Sequence, residues 1–188
     1  EMKRLSVACN ATVRDQAEMI TGIMSARVGT LMRILPTQVA MDGKIYIGLL
    51  DKWGTAGMNQ IAIEMGDSPV KNWKGSNEDF GTEKSDALNP DVFSDCVFVK
   101  YHCYSCPLGC GGICRRNGAA ADTHKPEYET VMALGSLLLN ADADSIFFLN
   151  DLCNRAGLDT ISVGGTVAYA MECYEQGIIT RSDTGGID

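Results

Sequence analysis

Basic residues are in short supply: 16 Lys and Arg stand against 24 Asp and Glu, a formal net charge of −8. Nucleic acids and anionic membranes select basic surfaces, so this balance argues against both as partners. No apolar run approaches the roughly 20 residues that a membrane span needs. The first residues, Glu1-Met2-Lys3-Arg4-Leu5-Ser6, have no long apolar signal core behind them, so export is not expected. Only two histidines occur, His102 and His124, and neither is a strong ligand candidate. Internal repeats and low-complexity tracts are absent as well. With 45% hydrophobic and 21% charged residues, the chain has the make-up of a soluble globular protein. Its 188 residues suffice for one domain, or a domain with an appendage. It opens without Met and stops at Thr184-Gly185-Gly186-Ile187-Asp188, which reads as a fragment of something longer.

Cysteine, by contrast, is concentrated. Half of the eight cysteines fall inside twelve residues, in His102-Cys103-Tyr104-Ser105-Cys106-Pro107-Leu108-Gly109-Cys110-Gly111-Gly112-Ile113-Cys114. Thiolates are soft ligands that favour iron–sulfur clusters, zinc or copper(I) over hard cations. The spacing Cys-x2-Cys-x3-Cys-x3-Cys, with a proline beside one cysteine, suits a [4Fe–4S] site. A structural zinc usually shows two separated Cys-x2-Cys pairs, and this chain has one. Disulfides are the third reading. Cys9, Cys96, Cys153 and Cys173 are scattered in apolar surroundings like ordinary core thiols. Gly109, Gly111 and Gly112 are expected to let the backbone turn sharply and to bring amide N–H groups towards a charged cluster. The thiol content fits a reduced, cytoplasmic setting best.

The chain reads as mainly α, a helical domain with a few short strands and a cysteine-rich cluster loop. Val13, Ala17, Ile20, Met24, Val28, Leu31 and Leu35 recur at helical spacing up to Pro36. Lys44-Ile45-Tyr46-Ile47-Gly48 follows the turn signal Asp42-Gly43 and is expected as a short strand. A second helix is expected from Asp51 to Met65. Residues 66–95 read as a long surface loop in which Val70, Trp73 and Phe80 need cover. Cys96 to Tyr101 reads as a strand delivering the chain into the cysteine loop. Three helices follow. One starts near Pro126, with Tyr128, Val131, Met132, Leu138 and Leu139 as its apolar face. Another runs from about Asp144 to a C-cap at Gly157. The last is N-capped by Asp159, runs to Gly177 and carries a small-residue surface of Gly164, Gly165, Ala168 and Ala170. That surface implies close packing by neighbouring backbone or by a bulky cofactor.

Taken by themselves, Pro126-Glu127-Tyr128-Glu129-Thr130 is a charged helix start and Asn154 to Ser162 a helix–loop–helix junction. With Lys125 heading the first of them, and together with Cys103-x2-Cys106-Pro107-x2-Cys110 and Ala170-Met171-Glu172-Cys173-Tyr174-Glu175, they resemble the aldehyde:ferredoxin oxidoreductase family of tungsten enzymes. Trp53-Gly54-Thr55-Ala56-Gly57 and Pro69-Val70-Lys71-Asn72-Trp73 look like earlier signatures of that family. The resemblance covers roughly Lys52 to Asp188; residues 1–50, an expected helix and short strand, match much less well.

The resemblance implies that residues 51–188 are a cluster- and pterin-contacting helical domain of a three-domain enzyme. Its family binds tungsten (or molybdenum) through two pterins, beside a [4Fe–4S] cluster, and oxidises aldehydes to carboxylic acids. Electrons pass to ferredoxin or another electron-transfer subunit, and N- and C-terminal domains of the same enzyme complete the site, so the isolated chain is expected to be inactive. Cys103, Cys106 and Cys110 map onto the family's loop ligands, and the fourth ligand comes from a domain this chain lacks. Cys114 is then either a bystander or a substitute fourth ligand. The pterin pattern Asp-x-x-Gly-Leu-Asp appears as Asn154-x-x-Gly157-Leu158-Asp159, with Asn154 lacking the charge and Asp159 the better assignment. Glu129, ahead of Glu127, maps onto the active-site glutamate. Two further readings remain open: the tungsten subunit of a benzoyl-coenzyme A type aromatic-ring reductase, and a stand-alone iron–sulfur electron-transfer module using all four loop cysteines.

Overall fold

A computed structural model describes residues 43–187, apart from 105, 107 and 117–120. The expected helix between Val13 and Leu35 lies outside these residues. The chain divides into two compact units, described separately below. One comprises the residues up to Gly57 together with Phe93–Lys125, the other Met58–Val92 together with Pro126–Asp188. Among the described residues the structure is mainly α, with one small sheet. None of the described helices is long and apolar enough to cross a membrane.

The first unit opens with α1 (Gly43–Trp53). Residues Lys44–Gly48, expected as a short strand, are therefore helical. The reason is legible in the spacing: Tyr46, Leu49, Leu50 and Trp53 recur at the i, i+3, i+4, i+7 positions of a helix, which a five-residue window cannot reveal. The same helix runs across the boundary expected near residue 50. It ends where Gly54 takes a left-handed φ of 67° and a 3-10 turn, Gly54–Met58, begins. The expected helix Asp51–Met65 is thus three pieces, the last being α2 (Asn59–Glu64), which begins the second unit.

The sheet of the first unit contains β1 (Val97–Tyr101), β2 (Gly111–Cys114) and β3 (Thr123–His124), antiparallel in the order β1-β2-β3. Val97 faces Cys114 and Tyr101 faces Gly111, with an irregularity between Val97 and Val99. Gly111 and Gly112 belong to the strand instead of a sharp turn. A Cβ at Gly111 would collide with the Tyr101 ring, and one at Gly112 would come within 2.8 Å of the Val97 methyls. Only Gly109, at φ 60°, has the left-handed backbone expected of this trio.

In the second unit, residues 66–95 are not one long loop but contain three short helices: α3 (Asn77–Phe80), α4 (Thr82–Ala87) and α5 (Pro90–Ser94), which reaches into the first unit. Side-chain caps, not periodicity, start the first and third of them, while α4 begins directly at Gly81. Ser76 and Asp79 form a reciprocal capping box, and Asn89 Oδ1 accepts from Asp91 N at 3.0 Å. Val70 and Phe80 are buried as expected, whereas Trp73 is 74% exposed. Lys71, Asn72 and Trp73 take φ values of 46°, 49° and 66°, a run of left-handed residues costing about 1–3 kcal/mol each. Lys71 N and Asn72 N donate to Ser136 O and Leu137 O, at 3.2 and 3.0 Å. Asn72 Nδ2 donates to Glu172 Oε2 at 2.5 Å, and Lys74 pairs with the same carboxylate. Lys74, then Asn72, hold the Glu172 carboxyl below its ordinary range.

Three helices form the body of this unit: α6 (Tyr128–Leu134), α7 (Ala143–Ala156) and α8 (Thr160–Glu175). The first is shorter than its apolar stripe suggests. It stops at Gly135 (φ −107°, ψ −101°), and Leu138 lies in a following 3-10 turn while Leu139 is left-handed. A Cβ at Gly135 would clash with Val131 O, so glycine is needed where the chain changes direction. The ends of α7 and α8 fall as expected: Gly157 takes φ 70° as C-cap, and Asp159 caps α8 by accepting from Ser162 N at 2.7 Å. Val131, Leu134 and Ile146 are at most 1% exposed, each contributing about 1.5–3 kcal/mol of burial. Of the small residues of α8, Gly164 and Ala168 are buried, while Ala170 is exposed. At Gly164 the neighbour is backbone: an added Cβ would overlap Ala133 O of α6.

Two outcomes follow from these contacts. Gly164→Ala is expected to destabilise by about 1–3 kcal/mol, because a backbone carbonyl cannot move aside. Gly165→Ala meets nothing within 4 Å and should be neutral or stabilising by up to about 1 kcal/mol; equal denaturation midpoints for the pair would refute the close approach. Ser162, through its hydroxyl and then its backbone N–H, holds the Asp159 carboxyl below its ordinary 3.8. A depressed folded-state value means that the cap's contribution is complete above 3.8 and fades as pH falls through the lower folded value. The melting temperature of Asp159→Ala should therefore lie below wild type at pH 7, with the gap narrowing in acid; a gap that ignores pH would count against the cap.

Candidate cofactor-facing site

The cysteine loop joins β1 to β2 within the first unit. Its entry is turned by Cys106 N donating to Cys103 O at 3.0 Å, while His102 Nδ1 meets Cys106 O at 2.9 Å. The His102 ring lies against Gly109, where a Cβ would come within 2.6 Å of it. His102 is thus a loop-shaping residue that spacing rules cannot find. His124 pairs with Tyr101 instead, its Nδ1 3.1 Å from the phenol oxygen. Cys103 is exposed, and Cys106 and Cys110 are half-buried, all as free thiols. Among the described residues, no group of three or more His, Cys, Asp or Glu is gathered so as to hold a metal ion. A cluster makes a different demand, since each thiolate binds its own iron and the ligands stand apart by the cluster's width. The donor set, three free thiols at two- and three-residue spacing, fits that chemistry.

Cys114 has other surroundings. It is 0% exposed, and its Sγ lies 3.7 Å from Phe93 O. Cys96 Sγ lies 3.6 Å from the same oxygen. The hydrogen bond between the two thiols, helped by nearby Arg116, lowers Cys96 to about 7. Cys114 is pushed far upward by that same partner and by burial.

Lys125 heads a motif in the sequence, but sequence reasoning gave it no role of its own. It is 4% exposed, and its Nζ donates to Trp53 O at 2.8 Å. Gly54 is the hinge of this arrangement: a Cβ there would fall 2.5 Å from Lys125 Nζ, 2.8 Å from Cys110 O and 3.3 Å from Cys110 Cβ. The ammonium therefore neighbours a candidate cluster ligand. A cavity of about 170 Å³ opens here, its lining including Lys52, Lys100, Cys110 and Lys125. No pattern in the sequence points to Lys125 beyond its place before Pro126.

The second unit brings Glu129 and Asp159 to one edge. Glu129 lies in the first turn of α6 and Asp159 caps α8, both exposed. Their chain neighbours are joined directly, Thr130 Oγ1 and Thr160 Oγ1 being 2.8 Å apart. Glu127 is half-buried, and its carbonyl accepts from Val131 N at 2.9 Å. Asn154 turns back on its own helix, its Nδ2 donating to Asn150 O at 2.9 Å. Gly157 and Leu158 form the exposed α7–α8 junction. Leu158 and Ile161, which flank Asp159 in the chain, expose 55% and 53% of their surface. The threonine pair could have been suspected, because each member directly follows a candidate acid.

Residues 37–188 match a family model described as aldehyde ferredoxin oxidoreductase, domains 2 and 3. The tungsten-containing aldehyde ferredoxin oxidoreductase of Pyrococcus furiosus is 41% identical over 143 residues, 73% of this chain and 22% of that protein. Its counterpart in Thermococcus kodakarensis is 38% identical over the same shares. An aliphatic sulfonate oxidoreductase, WOR-like subunit, of Pyrococcus furiosus is 29% identical over 71% of this chain and 22% of its own. The chain thus spans about a fifth of the length of these curated relatives. Motif order, helical architecture and these matches agree, and the chain belongs to the aldehyde ferredoxin oxidoreductase family.

Proposed function

We propose that this chain is the cofactor-facing helical part of a tungsten–pterin oxidoreductase that oxidises aldehydes to carboxylic acids. The observation that carries the reading is the Thr130–Thr160 hydrogen bond, which joins the helix starts that carry the exposed Glu129 and Asp159. A cofactor or a further domain of the same enzyme would cover those helix starts. The similarity to tungsten-containing relatives supports the choice of cofactor.

In this reading Cys103, Cys106 and Cys110 hold a [4Fe–4S] cluster, and Cys114, buried and turned to Phe93 O, lies outside the set. The tungsten–pterin, when bound, supplies the two-electron oxidation, and ferredoxin or another electron-transfer subunit receives the electrons in a reduced, cytoplasmic compartment. Conversion of an aldehyde and water to a carboxylic acid releases two protons and two electrons. Glu129 takes one proton at its carboxylate, and Glu127, half-buried one turn boundary earlier, keeps the helix start in place. Asp159 and Asn154 offer hydrogen-bonding groups to a pterin edge, with Gly157 leaving room and Leu158 packing against its face. Lys125 places a positive charge beside Cys110, where it favours the reduced, more negative cluster.

The test uses the full-length parent enzyme, purified without oxygen. It should contain tungsten and oxidise aldehydes with a viologen dye, and aromatic-thioester reduction should be absent. Glu129→Gln should lower kcat about 10²- to 10⁴-fold while metal content stays unchanged. Serine at position 103, 106 or 110 should abolish the roughly 400 nm iron–thiolate absorbance, and serine at 114 should leave it intact. Protein holding neither tungsten nor molybdenum, or a fully active Glu129→Gln variant, would sink the reading.

A further inference from the structure

Cys96 and Cys114 stand apart from the loop cysteines in position and surroundings. Cys96 directly precedes β1 and Cys114 ends β2, whose register sets Val97 opposite Cys114. Arg115 N donates to Cys96 O at 3.0 Å, which pins the two chain segments together at that point. Both thiols converge on one acceptor, Phe93 O, with Sγ distances of 3.6 and 3.7 Å. Cys96 is half-buried and reachable, whereas Cys114 is fully buried. Two sulfurs drawn to one carbonyl from neighbouring chain segments are placed on the same side of the sheet end, as the short span of a disulfide requires. An accessible thiol beside a sequestered one is also the arrangement that thiol–disulfide exchange uses, with one sulfur for entry and one for resolution.

We propose that Cys96 and Cys114 form a modification site that reacts with a low-molecular-weight disulfide. Cys96, as thiolate, attacks one sulfur of the small disulfide; the S–S bond breaks, a small thiolate leaves and Cys96 carries the mixed disulfide. Cys114 then gives up its proton and attacks Cys96 Sγ, expelling the second small thiolate. The protein pair loses two electrons, the small disulfide gains them, and the two thiol protons end on the two small thiols. The resulting bond ties the ends of β1 and β2 beneath the connection that carries Cys103, Cys106 and Cys110. The inference needs no cluster and stands or falls apart from the proposed function.

Incubating the reduced chain with oxidised glutathione, alkylating it in denaturant and mapping the peptides reads this directly. A Cys96–Cys114 cross-linked peptide is expected, with both cysteines lost from the alkylated pool. In Cys114→Ala, Cys96 should instead keep glutathione as a stable adduct. The proposal is overturned if both cysteines remain alkylatable while exposed Cys103 is modified. It is equally overturned if wild-type Cys96 keeps its adduct, or links to Cys103, Cys106 or Cys110. The wild-type map decides the matter even where the alanine variant fails to fold.

Discussion

The close approach of α8 to α6 is the constraint on which the second unit depends. A glycine at 164 lets one helix backbone lie on the carbonyl of Ala133, and no side chain fits between them. That contact brings the starts of the two helices together, so that Thr130 reaches Thr160 and the acidic residues just before them share an edge. It also sets the far half of α8 beside the Lys71–Trp73 turn, where Glu172 and Glu175 meet Lys74 and Lys71. One small residue in a helix interior thus allows the close packing of α6 on α8. The helix propensity lost at that position, about 1 kcal/mol, is the cost of the arrangement.

The first unit follows a different logic. Its cysteine loop is shaped by groups that are not cysteines: His102 folded over Gly109, the Tyr101 ring over Gly111, and the Lys125 ammonium wedged against Gly54. In each case glycine makes space for a bulky or charged neighbour, and only at Gly109 and Gly54 does it also supply left-handed backbone. The loop's carrier is correspondingly small, an open sheet of three short strands joined by a few backbone hydrogen bonds.

Legibility in the sequence tracked the range of the interactions involved. The Asp159 cap, the Gly157 cap and the span of α7 and α8 depend on residues within four positions of one another, and they were readable. The stop of α6 at Gly135 was not, because Leu138 and Leu139 continue the apolar period while tertiary crowding ends the helix. The run around Lys44 to Gly48 failed for the opposite reason, a window too short to hold a helical period. Two of the helices inside 66–95, α3 and α5, are started by side-chain caps that periodicity ignores. Of the candidate site, the cysteines and acids were visible as residue types. Lys125 acts through Trp53, distant in sequence; His102 acts through the nearby Cys106 carbonyl and Gly109, which no spacing rule singles out; the threonine pair was hinted at only by its place after the two acids.

The left-handed turn at Lys71–Trp73 has a consequence for how the protein can be observed. Trp73 projects into solvent at the end of a turn whose two preceding residues, Lys71 and Asn72, are held by Ser136, Leu137 and Glu172. The chain's other indole, Trp53, is half-buried with the Lys52 ammonium 3.9 Å from its ring centre. The two chromophores therefore sit in contrasting media, one wet and one partly screened beside a cation. Light emitted by Trp73 is accordingly a built-in gauge of that surface, dim and red-shifted while water touches the ring and bluer once anything dry settles on it.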